Sequence, residues 1–65
     1  MSDLDILIAY AQSGMRISTA AANTHYDRRT FRRLLIRAGY RVGIDPLDFY
    51  DLAEYLREER KLHDD

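Results

Sequence analysis

The 65-residue chain has no cysteine and no tryptophan, a single proline and three glycines. Without cysteine there is neither a disulfide framework nor a thiolate metal centre. A domain this close to the lower size limit for unaided folding must therefore rely on packed apolar side chains. The longest unbroken apolar run, Ile6 to Ala11, is too short to span a bilayer, and no segment has the pattern of a signal peptide. A cytoplasmic location away from membranes is the resulting expectation. The two histidines, His25 and His63, are far apart and have no neighbouring nucleophile or metal-ligand spacing. An enzyme is not expected, and neither a catalytic residue, a metal site nor a cofactor is assigned. Repeats, low-complexity tracts and paired strand patterns are also missing.

What remains is helical periodicity. Ser2 is a good N-cap, with Asp3 and Asp5 suited to a helix N-terminus. Leu4, Leu7, Ile8 and Ala11 then fall on one face, and Gly14 supplies a left-handed stop, giving a first helix over about 3–13. Ser18 reads as the cap of a short small-residue helix over about 19–24. Asp27 caps a third helix over about 28–38, in which Phe31, Leu35 and Ala38 recur at i, i+4 and i+7 and Gly39 marks the end. Asp45-Pro46 predicts a fourth helix start, with an apolar stripe of Phe49, Leu52, Ala53 and Leu56 over about 46–61. Residues from Leu62 to Asp65 are expected to fray. The expected fold is all-α, one compact four-helix domain, 1–65, in which helices two and three form a helix-turn-helix and no sheet is present.

Charge is distributed unevenly along these helices. The overall net charge is −1, but residues 16–41 carry +6, flanked by −2 over residues 1–15 and −5 over residues 42–65. Five arginines, Arg28, Arg29, Arg32, Arg33 and Arg37, lie in the third helix alone. At about 100° per residue, turning Phe31, Leu35 and Ala38 inward aims Arg29, Arg33 and Ile36 outward. Arg32 then flanks one side of that face and Thr30 and Arg37 the other, with Arg28 in the first turn. A basic face on a chain that is acidic elsewhere suits a polyanion.

The order of these segments resembles the C-terminal helix-turn-helix domain of PucR/CdaR-type bacterial transcriptional regulators, and more broadly the Fis-like helix-turn-helix family. The likeness spans roughly residues 4–58. Tyr10 to Gly14 matches the end of that domain's leucine-rich first helix, Ser18 its capping serine, and Ala20 and Ala21 its alanine-bearing second helix. His25-Tyr26-Asp27-Arg28-Arg29-Thr30-Phe31-Arg32 stands where the family reads His, aliphatic, His, Arg, Asn, Thr, Leu, Arg. Gly43-Ile44-Asp45 matches the closing element before an acidic helix. Thr24, Tyr26, Asp27 and Arg29 depart from the family residues at their positions. The resemblance implies a DNA-binding module of a transcription regulator whose third helix enters the major groove.

In helix-turn-helix docking, residues near the recognition-helix N-terminus meet base edges while the surrounding side chains hold phosphates. Guanidinium grips guanine O6 and N7 through two parallel hydrogen bonds. Arg28, Arg29 and Arg33 are thus candidates for base contact, Arg32 and Arg37 for phosphate, and Thr30 for either. Ser18 and Thr19 can hold a phosphate at the start of the second helix, and Arg16 and Arg41 are candidate extensions of that track. Ile36 fits a thymine methyl or a contact with another protomer. The expected partner is double-stranded DNA. The fourth helix is open to three uses: closing the core, forming a homodimer, or engaging a protein partner through its acidic face. An alternative function is a protein-interaction adaptor that uses the basic and acidic helix faces on another protein.

Overall fold

A computed structural model describes residues 1–63. It contains four helices, α1 (Asp3–Gln12), α2 (Ile17–Thr24), α3 (Arg28–Val42) and α4 (Phe49–His63), with no strand among the described residues. Asp64 and Asp65, part of the segment expected to fray, lie outside the described residues. None of the described helices is long and apolar enough to cross a membrane.

The α1 N-terminus is closed by a capping box. The Ser2 hydroxyl accepts the Asp5 N–H at 3.2 Å, and the Asp5 carboxylate accepts the Ser2 N–H at the same distance. Two successive left-handed residues, Gly14 (φ +74°) and Met15 (φ +65°), reverse the chain after α1. The Ser13 hydroxyl knits this reversal together, donating to the Tyr10 carbonyl at 2.6 Å and accepting the Arg16 N–H at 3.3 Å. This moves the start of α2 ahead of the sequence expectation. Arg16, not Ser18, occupies the N-cap, without a side-chain cap hydrogen bond, and Ser18 lies inside the first turn. Half-buried Ile17 is what the early start gains, since its side chain packs against the core.

Ile6, Leu7, Tyr10, Ala20, Ala21, Phe31, Leu35, Ala38 and Leu52 form that core. The inward stripe of α3 is as its periodicity predicts: Phe31, Leu35 and Ala38 are fully buried. In α1 the buried face is rotated from the expected one. Ile6 and Tyr10 join Leu7 inside, while Leu4, Ile8 and Ala11 are half-buried. The reason is the asymmetric packing of α1, which meets α2 and α3 on one side and only α4 on the other.

Two expectations about the second half fail for one shared reason. Gly39 does not end α3; the helix continues to Val42 and is closed by Gly43 at φ +77°. Gly39 is required by close approach of the following chain. A Cβ there would stand 2.8 Å from Pro46 Cγ and 2.9 Å from the Ile44 carbonyl oxygen, and closer still to Pro46 Cδ. The connector folds back over α3 with Pro46 buried, and the Ile44 N–H donates to the Gly39 carbonyl at 3.0 Å. Pro46 is therefore in a turn that follows Asp45, and α4 begins at Phe49. Asp48 is its capping carboxylate, accepting the Tyr50 N–H at 2.8 Å. The three-residue displacement also moves Phe49 out of the core, leaving it 62% exposed.

Candidate nucleic-acid interface

The turn between α2 and α3 comprises His25, Tyr26 and Asp27. His25 takes the left-handed C-cap position of α2 (φ +63°), and the Tyr26 N–H returns to the Ala21 carbonyl at 3.0 Å. Asp27 then caps α3, its carboxylate accepting the Thr30 N–H at 2.6 Å. That hydrogen bond lowers the Asp27 pKa below its ordinary 3.8, and the neighbouring Arg33 charge adds to the effect. The fully buried Phe31 anchors the first turn of α3 in the core. The rotation of α3 is thereby fixed, and with it the direction of each arginine.

Arg28, Arg29, Thr30, Arg32, Arg33 and Arg37 are all exposed. None of the five arginines among them forms an ion pair within the described residues. Arg41 differs: its guanidinium meets Asp3 at 3.2 Å, joining the end of α3 to the start of α1, so it belongs to a surface ion pair. Arg16 is exposed at the α2 N-cap.

The arrangement runs against helix electrostatics. Arg28/Arg32, Arg29/Arg33 and Arg33/Arg37 are like-charge neighbours at i, i+4, each destabilising a helix by roughly 0.2–0.5 kcal/mol. Arg28 and Arg29 also occupy the first turn, where the helix dipole disfavours cations. The first turns of α1 and α4 follow the opposite rule and carry acids. In α3 the local sequence thus contradicts local stability, the pattern expected of a functional surface.

Geometry joins several of the sequence-assigned residues. Ile17, Ser18, Arg28, Arg29 and Arg32 line one cleft of about 370 Å³ between the α2 N-terminus and the first turns of α3. Thr19 is exposed in the same turn of α2 as Ser18 but does not line the cleft. Arg33 and Arg37 continue along the outer face of α3. Tyr40 joins this face. Because α3 extends past Gly39, Tyr40 falls in register with Arg29, Arg33 and Ile36, and it is 86% exposed. Its signal was the i, i+4, i+7, i+11 spacing, hidden by treating Gly39 as a stop. The stripe from Arg29 to Tyr40 is about 16 Å long at 1.5 Å per residue. No family model, curated protein or solved structure matches the chain.

Proposed function

We propose that the chain binds double-stranded DNA in a sequence-specific manner through α3, as a transcriptional regulator or the DNA-binding module of one. The observation that carries this reading is the set of five unpaired arginines at mutually repulsive spacing on one exposed helix, two of them in its first turn. Only an external polyanion converts that arrangement from a cost into a gain. A duplex backbone supplies the charge, and the α3 stripe matches roughly five base-pair steps of 3.4 Å in length.

In this reading Arg28, Arg29 and Arg33 approach base edges, where bidentate pairing with guanine gives discrimination. Arg32 and Ser18, on opposite walls of one cleft, hold a phosphate between the guanidinium and the α2 N-terminus. Arg37 meets a second phosphate, Ile36 offers an apolar contact for a thymine methyl, and Thr30 and Thr19 extend the polar rim. The resemblance to PucR/CdaR-type domains supports the same docking.

The test is selection from a random duplex library at low salt, followed by binding of the enriched sequence to the wild type and to the Arg28→Ala/Arg29→Ala/Arg33→Ala variant. The variant should lose binding without any loss of helicity or melting temperature, because all three side chains are exposed and relief of the Arg–Arg repulsion stabilises α3 slightly. A library that yields no enrichment and no binding at low salt would refute the proposal and leave the adaptor function standing.

A further inference from the structure

The cleft between α2 and α3 gathers Arg28, Arg29 and Arg32 opposite Ile17 and Ser18, and no carboxylate lines it. Asp27, the acid nearest in sequence, caps α3 and acts on Arg33, which lies outside the cleft. An anion carried by the chain itself could satisfy these guanidiniums without any nucleic acid. Ser18 is the lining residue able to carry one, as an ester of its hydroxyl. The other aliphatic hydroxyls are committed elsewhere. Ser2 closes the α1 capping box, Ser13 knits the reversal before α2, and Thr24 donates to the Ala20 carbonyl at 2.8 Å. Thr30 faces the Asp27 carboxylate, where a phosphate would meet like charge. That leaves Ser18 and Thr19, both exposed and without a side-chain hydrogen bond among the described residues. Of these two, Ser18 alone borders the arginines. A modifying enzyme can reach it, because the Arg16 N-cap makes no side-chain hydrogen bond and the first turn of α2 opens at little cost.

We propose that Ser18 is a phosphorylation site whose phosphate seats in this cleft and switches off the α3 surface. The switch rests on the DNA-binding function proposed for α3; the seat of the phosphate in the cleft does not. In the transfer, Ser18 Oγ bonds to the γ-phosphorus of a nucleoside triphosphate held by a protein kinase. The bond from that phosphorus to the β,γ-bridging oxygen breaks, nucleoside diphosphate leaves, and the hydroxyl proton passes to a base of the kinase. The product carries a charge of about −1.5 to −2 and three strongly accepting oxygens. Facing three guanidiniums, it forms charge-assisted hydrogen bonds that tie α2 to α3. Its tether gives it a high effective concentration over any phosphate arriving from solution. The net +6 of residues 16–41 falls to about +4. Arg32 is taken from the DNA backbone, and Arg28 and Arg29 from the bases. Loss of one phosphate contact weakens duplex binding roughly eightfold at about 0.1 M salt, so the combined loss exceeds roughly tenfold.

The full chain synthesised with phosphate on Ser18, beside one with phosphate on Thr19, tests this with and without DNA. Without DNA, a phosphorus NMR titration should place the second ionisation of the Ser18 phosphate below its ordinary value of about 6. Tm at neutral pH should rise by roughly 5 °C. Arg28→Ala/Arg32→Ala should abolish both shifts, and phosphate on Thr19 should produce neither. With a selected duplex, phosphate on Ser18 should weaken binding by more than roughly tenfold, and phosphate on Thr19 by less. In chain recovered from its own cells, mass spectrometry should find phosphate on Ser18. Titration and melting shifts that are absent, that survive the arginine substitutions or that appear equally with Thr19 would overturn the proposal. So would duplex binding that the Ser18 phosphate leaves intact, or a Ser18 that stays unmodified in cells through growth and starvation. An unmodified chain that binds no duplex would refute the DNA-binding function and the switch with it, while a lowered phosphate pKa would still place the phosphate in the cleft.

Discussion

Replacing Gly39 with alanine sets two effects of opposite sign against each other. Alanine is favoured over glycine inside a helix by roughly 1 kcal/mol, and Gly39 is helical. Propensity alone therefore forecasts a more stable protein. Packing opposes it, because the new Cβ would stand 2.8 Å from Pro46 Cγ and 2.9 Å from the Ile44 carbonyl oxygen. A proline ring has no rotamer by which to swing aside, and the Ile44 N–H is already bonded to the Gly39 carbonyl. The whole connector must move, or α3 must bend. Overpacking of a tight site costs about 1–3 kcal/mol, and contact with two rigid groups places this site toward the upper end. The net expectation is destabilisation by about 1–2 kcal/mol, or roughly 5–15 °C in Tm for a domain of this size. Thermal unfolding followed by far-UV circular dichroism measures it directly. Pro46→Ala in the same background should recover part of the loss, since it removes the ring that the new methyl strikes. If Gly39→Ala melts at or above the wild-type temperature, propensity has won and the connector does not cross α3 as closely as described.

Two further outcomes follow from the α3 geometry. Asp27→Ala should lower Tm at neutral pH, whereas Asp27→Asn retains an accepting cap and should lower it less. The depressed Asp27 pKa means that the charged cap stabilises the fold above the ordinary value of 3.8 and stops doing so as pH falls through the folded-state value. The Tm gap between wild type and Asp27→Asn should thus narrow in acid, and a gap that widens would contradict the assignment. Tyr40→Ala should weaken binding to a selected duplex while shifting stability by no more than about 0.5 kcal/mol, as for other exposed sites; fluorescence anisotropy and a urea melt on the same variant separate the two.

The inward stripe of α3 and its Asp27 cap were legible in the sequence because each rests on interactions within one helix or its adjoining turn. Phe31, Leu35 and Ala38 repeat at helical spacing, and Asp27 needs only Thr30 as its partner. The residues misplaced from sequence depend on segments that approach from elsewhere. Gly39 reads locally as a helix stop, and only the return of Pro46 across it reveals a helical glycine. Ser18 reads as a cap until the Ser13 hydroxyl and the left-handed Met15 start α2 earlier. The buried face of α1 could not be chosen between Ile6 and Ile8 without knowing that α2 and α3 share one side. On the candidate interface, the arginines were identifiable from charge and register alone. Tyr40 was concealed by the misread glycine, and the pairing of Arg41 with Asp3 connects positions too distant for any local pattern.

In the proposed function, the unpaired α3 arginines meet phosphates and bases. Measuring duplex affinity across a salt series tests it most directly. With Arg32 and Arg37 on phosphates at about 0.9 log units each, the plot of log affinity against log salt should have a slope of about −2 or steeper. Replacing either arginine with alanine should flatten it by about 0.9. Affinity that is indifferent to salt, or a slope that neither substitution alters, would contradict the account.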